Sequence, residues 1–192
     1  MKNYRLLTLL ILLFTISLTT SKCKKNKTPA NPDEQLPPET QSGSNTFGCL
    51  VDGKVFLPKR PFGALNPVLT CYYEYIYYPS PVGYVFQVSA SDNSSPSLPI
   101  NLNILFDSSK IMVNKYFLQN GNKGYARGNY RKFTNNVLDD YYTFSQSSGE
   151  LNIKKFDEIN QIISGTFWFN AVNALGDTVH VTDGRFDMQY TK

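Results

Sequence analysis

From Thr46 onward, apolar and polar residues alternate in short runs that are broken by Gly, Asn, Asp and Pro clusters. A period of two over four to ten residues predicts strands with one buried face. The pattern marks Thr46–Val51, Lys54–Leu57, Val68–Tyr78, Tyr84–Ser91 and Ile100–Phe106. Further runs are Val113–Leu118, Tyr125–Phe133, Tyr141–Ser145, Glu150–Phe156, Ser164–Val172 and Thr178–Tyr190. No stretch keeps a 3.6-residue period for twelve residues, so no long helix is expected. The expected fold is all-β, an antiparallel β-sandwich or flattened β-barrel of roughly nine to ten strands. Asp52-Gly53 supplies the two positive φ angles of a type I′ hairpin turn. Asn135–Asp140 reads as a loop, and Asp157 and Asp183 as turn formers.

The last runs carry the clearest phase. Phe167, Phe169 and Ala171 share one face, while Trp168 and Asn170 share the other. Val179 and Val181 point inward on odd numbers, whereas Phe186, Met188 and Tyr190 do so on even numbers. A one-residue bulge at Gly184 reconciles the two phases and places Arg185, Asp187 and Gln189 outside.

Residues 1–22 break this pattern. Lys2 and Arg5 precede the apolar run Leu6–Leu18, and Thr19-Thr20-Ser21 follows. That is the layout of a secretory signal peptide, and the run is shorter than the ~20 apolar residues of a membrane span. Cys23 comes next and resembles the acylated cysteine of bacterial lipoproteins, with Lys22 departing from the small residue usual before it. A signal-peptidase cut after Ser21 is the alternative. Residues 23–45 hold Pro29, Pro32, Pro37 and Pro38 and a single large aliphatic, Leu36. They read as a lipid-anchored, Pro-rich tether, with the β-domain at 46–192. In Bacteroidota-type lipoproteins, which this segment resembles, acidic residues just after the cysteine direct export to the cell surface; none stands in the first four positions here, so the resemblance implies the periplasmic face of the outer membrane.

Charge narrows the classes further. The 192-residue chain has a net charge of +4. Lys2, Arg5 and Lys22 supply most of it, so the domain is close to neutral and no nucleic-acid partner is expected. With one His and three Cys, neither a His/Cys metal site nor a His-dependent triad can be assembled convincingly. His180 lies mid-strand and reads as an outward, solvated side chain. The pairs Asp139-Asp140 and Asp157-Glu158 sit at expected turns and make no acid/base dyad. No nucleophile elbow, P-loop or zinc-protease motif occurs. No catalytic residue, metal site or cofactor is therefore expected.

Cys49 and Cys71 are left once Cys23 is assigned to lipid. An oxidising compartment would permit a disulfide between them, worth ~3 kcal/mol by loop entropy, with two buried thiols as the alternative. Tyr73, Tyr75 and Tyr77 share one strand face and form a candidate aromatic binding face.

One ordered set of segments carries a resemblance. It comprises Phe47–Lys54, Gly149–Ile153, Phe156-Asp157, Ile163–Phe169 and Thr182–Asp187. Together these resemble a family of small Bacteroidota lipoproteins of unknown function. The resemblance implies an all-β exported domain and transfers no ligand or catalytic residue. The expected function is an exported, lipid-anchored envelope protein with a non-enzymatic binding or assembly role. Its partners would be the membrane, through the lipid, and a glycan, a peptide or another envelope protein. A lipocalin-like periplasmic carrier of a small apolar ligand is the second expectation.

Overall fold

The computed structural model describes residues 35–60, 63, 65–77, 83–94, 100–107, 110–119, 126–134, 137–144 and 149–192. The leader and Cys23 lie outside the described residues. Among the described residues eleven strands follow one another: β1 (Thr46–Val51), β2 (Lys54–Phe56), β3 (Leu69–Ile76), β4 (Gly83–Asp92), β5 (Ile100–Asp107) and β6 (Lys115–Phe117). They continue as β7 (Ala126–Thr134), β8 (Val137–Tyr142), β9 (Gly149–Asp157), β10 (Ile162–Val172) and β11 (Thr178–Gln189).

The strands are hydrogen-bonded into one antiparallel sheet in the order β2-β1-β11-β10-β8-β7-β5-β4-β3, and β9 links β10 to β6. The β3 edge is tied back to the residues after β11. The Tyr73 N–H donates to the Thr191 carbonyl at 2.9 Å, and the Thr191 N–H to the Cys71 carbonyl at 3.1 Å. The sheet thus curls over its own inner face, as in a flattened barrel, and does not divide into two separate sheets.

Inward positions are filled by large side chains. Phe86, Phe106, Phe169, Ile104, Leu151 and Ile153 are fully buried. β10 is flanked by β9 along most of its length and meets β8 only where Val172 pairs with Tyr142. Phe169 closes this fork. Its ring lies where a Cβ on Gly128 would stand, at 2.7 Å, and its own Cβ lies 2.6 Å from the Cβ position of Gly149. A larger residue at either glycine would displace the ring from the gap.

The Asp52-Gly53 turn has positive φ at both positions, as expected. β8 corrects the loop expected over Asn135–Asp140. Arg131 pairs in register with Asp140, and Lys132 with Asp139. Each aspartate faces a cation across the hairpin, with Arg131 Nε at 2.5 Å from Asp140 and Lys132 Nζ at 3.9 Å from Asp139. Cross-strand charge pairing overrides the turn preference of Asp.

Of the two alternatives for Cys49 and Cys71, a disulfide or buried thiols, the structure has the free, buried thiols. β1 and β3 are not neighbours in the sheet, so the chain does not set the two side chains in register.

Among the described residues, packing against the domain already includes Leu36, upstream of the expected boundary at Thr46. Leu36 is buried, and with Pro37 it lies over Gly48, where a Cβ would stand 2.6 Å from Pro37 Cδ. Residues 36–45 form a strap on the outer face of β1, β11, β10 and β9.

Candidate functional site

Alternation along β10 buries Phe167 and Phe169 and leaves Trp168 outward and 41% exposed. Register extends this position sideways. Trp168 pairs with Glu150 on β9, and Glu150 pairs with Phe117 on β6. Phe117 is 72% exposed. Three outward side chains therefore stand in a row across three strands: aromatic, carboxylate, aromatic. Adjacent strands lie ~4.8 Å apart, so the two rings are rooted about 10 Å from each other.

On the other side of Trp168, two β11 residues, Thr182 and Asp183, face one β10 residue. This is the expected bulge, with the left-handed conformation at Asp183 (φ 53°) instead of Gly184. Gly184 serves a close approach: a Cβ there would lie 2.4 Å from the Phe167 ring. The bulge turns Asp183 and Arg185 toward the same hollow, and Arg185 Nε donates to the Asp183 carbonyl at 3.2 Å.

The hollow is open and encloses about 250 Å³, lined by Glu39, Glu150, Lys154, Thr166, Phe167, Trp168, Asp183, Gly184 and Arg185. Glu39 belongs to the strap and hydrogen-bonds Lys154. Lys115 holds Glu150 at 3.0 Å. Glu150 and Glu39 are thus each matched by a lysine.

Asp187 fixes the strap beside this hollow. Its Oδ2 accepts from Thr40 Oγ1 at 2.6 Å, Ser42 N at 3.0 Å, and Ser42 Oγ and Ser44 N at 3.2 Å; Oδ1 accepts from Gly43 N at 2.8 Å. Gly43 adopts φ 74°, which lets three successive amides face one carboxylate. Burial alone would raise the Asp187 pKa. The Thr40 hydroxyl and the three amides outweigh it and bring the value down from 3.8 to about 2. Asp187 lies on the outer side of the sheet, as expected, yet it is buried because the strap covers it.

The tyrosine face of β3 does not stay together. Tyr73 is 4% exposed and packs edge-on against Phe156 and Tyr190. Tyr75 and Tyr77 run past the core and are exposed, their rings 4.7 Å apart. The strand leaves the barrel end between Tyr73 and Tyr75, so a face continuous in sequence becomes half core and half rim. His180 is exposed, with Nδ1 2.7 Å from Asn170 Oδ1. Burial pushes both the Cys49 and Cys71 thiols up, away from the reactive thiolate. No group of three or more potential metal ligands occurs among the described residues.

A second cleft of about 580 Å³ lies where β8 and β10 diverge, with Val137, Leu138, Tyr142, Phe144 and Leu175 on its walls. Its polar members are already engaged, since Asn173 Nδ2 donates to both Asp139 and Asp177.

Fold and site together define an all-β protein of one curled sheet with an aromatic–carboxylate platform outside. Residues 99–188 match the family model of a domain of unknown function (DUF6252). That span runs from β5 through most of β11, so it holds Phe117, Glu150, Trp168 and Asp187 and excludes the strap. No curated protein and no solved structure shows significant similarity to the chain.

Proposed function

We propose that this chain is an exported, lipid-anchored envelope protein whose domain binds a partner at its outer face and catalyses no reaction. The reading places Cys23 in the outer membrane, on the periplasmic side, because no acidic residue stands in the four positions after it. One observation carries it. The strap that continues the Pro-rich tether is docked on the domain and contributes Glu39 to the hollow containing Trp168. An anchor and a binding surface are then built into one device. Leu36 is the first buried residue among those described, so the chain between Cys23 and Leu36 spans at most about 45 Å. The domain would work close to the membrane.

The filled interior supports surface binding over carriage of an apolar ligand inside. Phe86, Phe106 and Phe169 occupy inward positions that a carrier would leave open. Metabolic fatty-acid labelling in a Bacteroidota host tests the anchor. Label is expected on the wild type and not on Cys23→Ala. Unlabelled wild-type protein would overturn the anchored reading and move the diffusing carrier forward.

A further inference from the structure

Building on that binding role, we propose that Phe117, Glu150 and Trp168 form a glycan-binding platform. Its ligand is a neutral, β-1,4-linked saccharide chain laid across β6, β9 and β10.

The row itself sets the ligand class. A pyranose ring offers an apolar C–H face, which stacks on an aromatic ring, and a rim of hydroxyls, which need hydrogen-bonding partners. In a β-1,4-linked chain, alternate sugars present the same face, so equivalent faces recur once per disaccharide. That repeat matches the about 10 Å between the roots of Phe117 and Trp168, two strand spacings apart. Glu150 stands between them and can accept from the intervening sugar's hydroxyls, while Lys115 holds its carboxylate in place at 3.0 Å.

The surroundings exclude other ligands. The strands under the row are paired on both sides at β9 and β10, so these two offer no free edge for an added peptide strand. The hollow beside Trp168 is polar and, at about 250 Å³, falls below the range of pockets that enclose an apolar small molecule. Glu39 pairs with Lys154 and Glu150 with Lys115, and Asp183 and Arg185 both line the hollow, so the signs balance and suit an uncharged chain.

Trp168 is the chain's one tryptophan, so its fluorescence reports on this site alone. Full-length protein, in a detergent without a sugar headgroup, is titrated with chitotetraose, N-acetylglucosamine and maltotetraose. Chitotetraose is expected to shift the emission saturably. The monosaccharide and the α-linked maltotetraose are expected to bind at least about tenfold more weakly, since each reaches one ring only. Phe117→Ala keeps the reporter, removes an exposed side chain outside the core, and is expected to reduce the chitotetraose affinity to near that of the monosaccharide. Trp168→Ala, followed by calorimetry, is expected to abolish binding. A silent Trp168 at millimolar chitotetraose would overturn the proposal. So would equal binding of maltotetraose, or a Phe117→Ala variant that keeps the gain from chain length. Silent titrations with a labelled Cys23 remove the glycan site and leave the anchored reading standing; an unlabelled Cys23 does the reverse.

Discussion

Replacing Asp187 by Asn should release the strap without unfolding the barrel. Asp187 takes five hydrogen bonds from residues 40–44. An amide can keep the bond from Gly43, but its NH₂ group then meets the Ser42 and Ser44 amides, donor against donor. The Asp187 pKa of about 2 lies nearly two units below the usual 3.8. That shift corresponds to about 2.5 kcal/mol favouring the ionised, docked state. The carboxylate has only one layer of chain above it, so about 2 kcal/mol is the expected loss, or about thirtyfold in the docking equilibrium. Glu39 provides the assay, because a glutamate-specific protease cuts the strap only after it lifts. When lifting is fast, cleavage follows the lifted population. Cleavage at Glu39, identified by mass, should therefore rise about thirtyfold in Asp187→Asn, with little change in the urea midpoint of the barrel. The sign of the pH dependence follows from the lowered pKa. The stabilisation is complete above pH ~4 and disappears as pH falls toward 2, so strap release on acidification should vanish in the variant. The exposed Glu39–Lys154 pair adds little to that titration. Equal cleavage rates for wild type and variant would refute the reasoning.

Gly184→Ala should destabilise the fold by about 1–3 kcal/mol, read from urea denaturation, because its Cβ would enter the Phe167 ring. Phe169→Ala should cost about 3–5 kcal/mol by emptying the fork between β8 and β9. Iodoacetamide should leave Cys49 and Cys71 unmodified in the native protein and alkylate both in denaturant, and reductant should not shift the melting temperature.

How far each feature could be read from sequence depends on the range of the interaction behind it. The phase of β10 was legible, because burial of Phe167 and Phe169 and exposure of Trp168 follow from a period of two within one strand. The bulge in β11 was legible for the same reason, since a change of parity demands an extra residue. β8 was hidden because Asp139 and Asp140 look like turn residues until Arg131 and Lys132 are known to face them. The strap was hidden more deeply. Thr40 and Asp187 are separated by 147 residues, and nothing local in a Pro-rich segment announces that its amides will surround a distant carboxylate. The Trp168 platform needed both the outward phase of β10 and the registers of β9 and β6. Only the first of these was available from the alternation pattern.

The arrangement of strap and platform has a consequence for any ligand of this surface. Glu39 lines the hollow only while residues 40–44 are held by Asp187. A ligand that touches Glu39 therefore binds the docked state better than the lifted one. By linkage, the same ligand must tighten the strap by the factor that docking tightens the ligand. In the anchored reading proposed above, the reach from Cys23 to the barrel is then shortest when such a ligand is bound, because docking holds residues 36–45 on the sheet. If Cys23 is lipidated as proposed, pulling the domain away from that anchor would lift the strap, remove one wall of the hollow and weaken a partner that touches Glu39. The coupling needs no hinge within the barrel. It rests on one buried carboxylate whose partners all belong to the strap, next to a site that borrows a residue from the same strap.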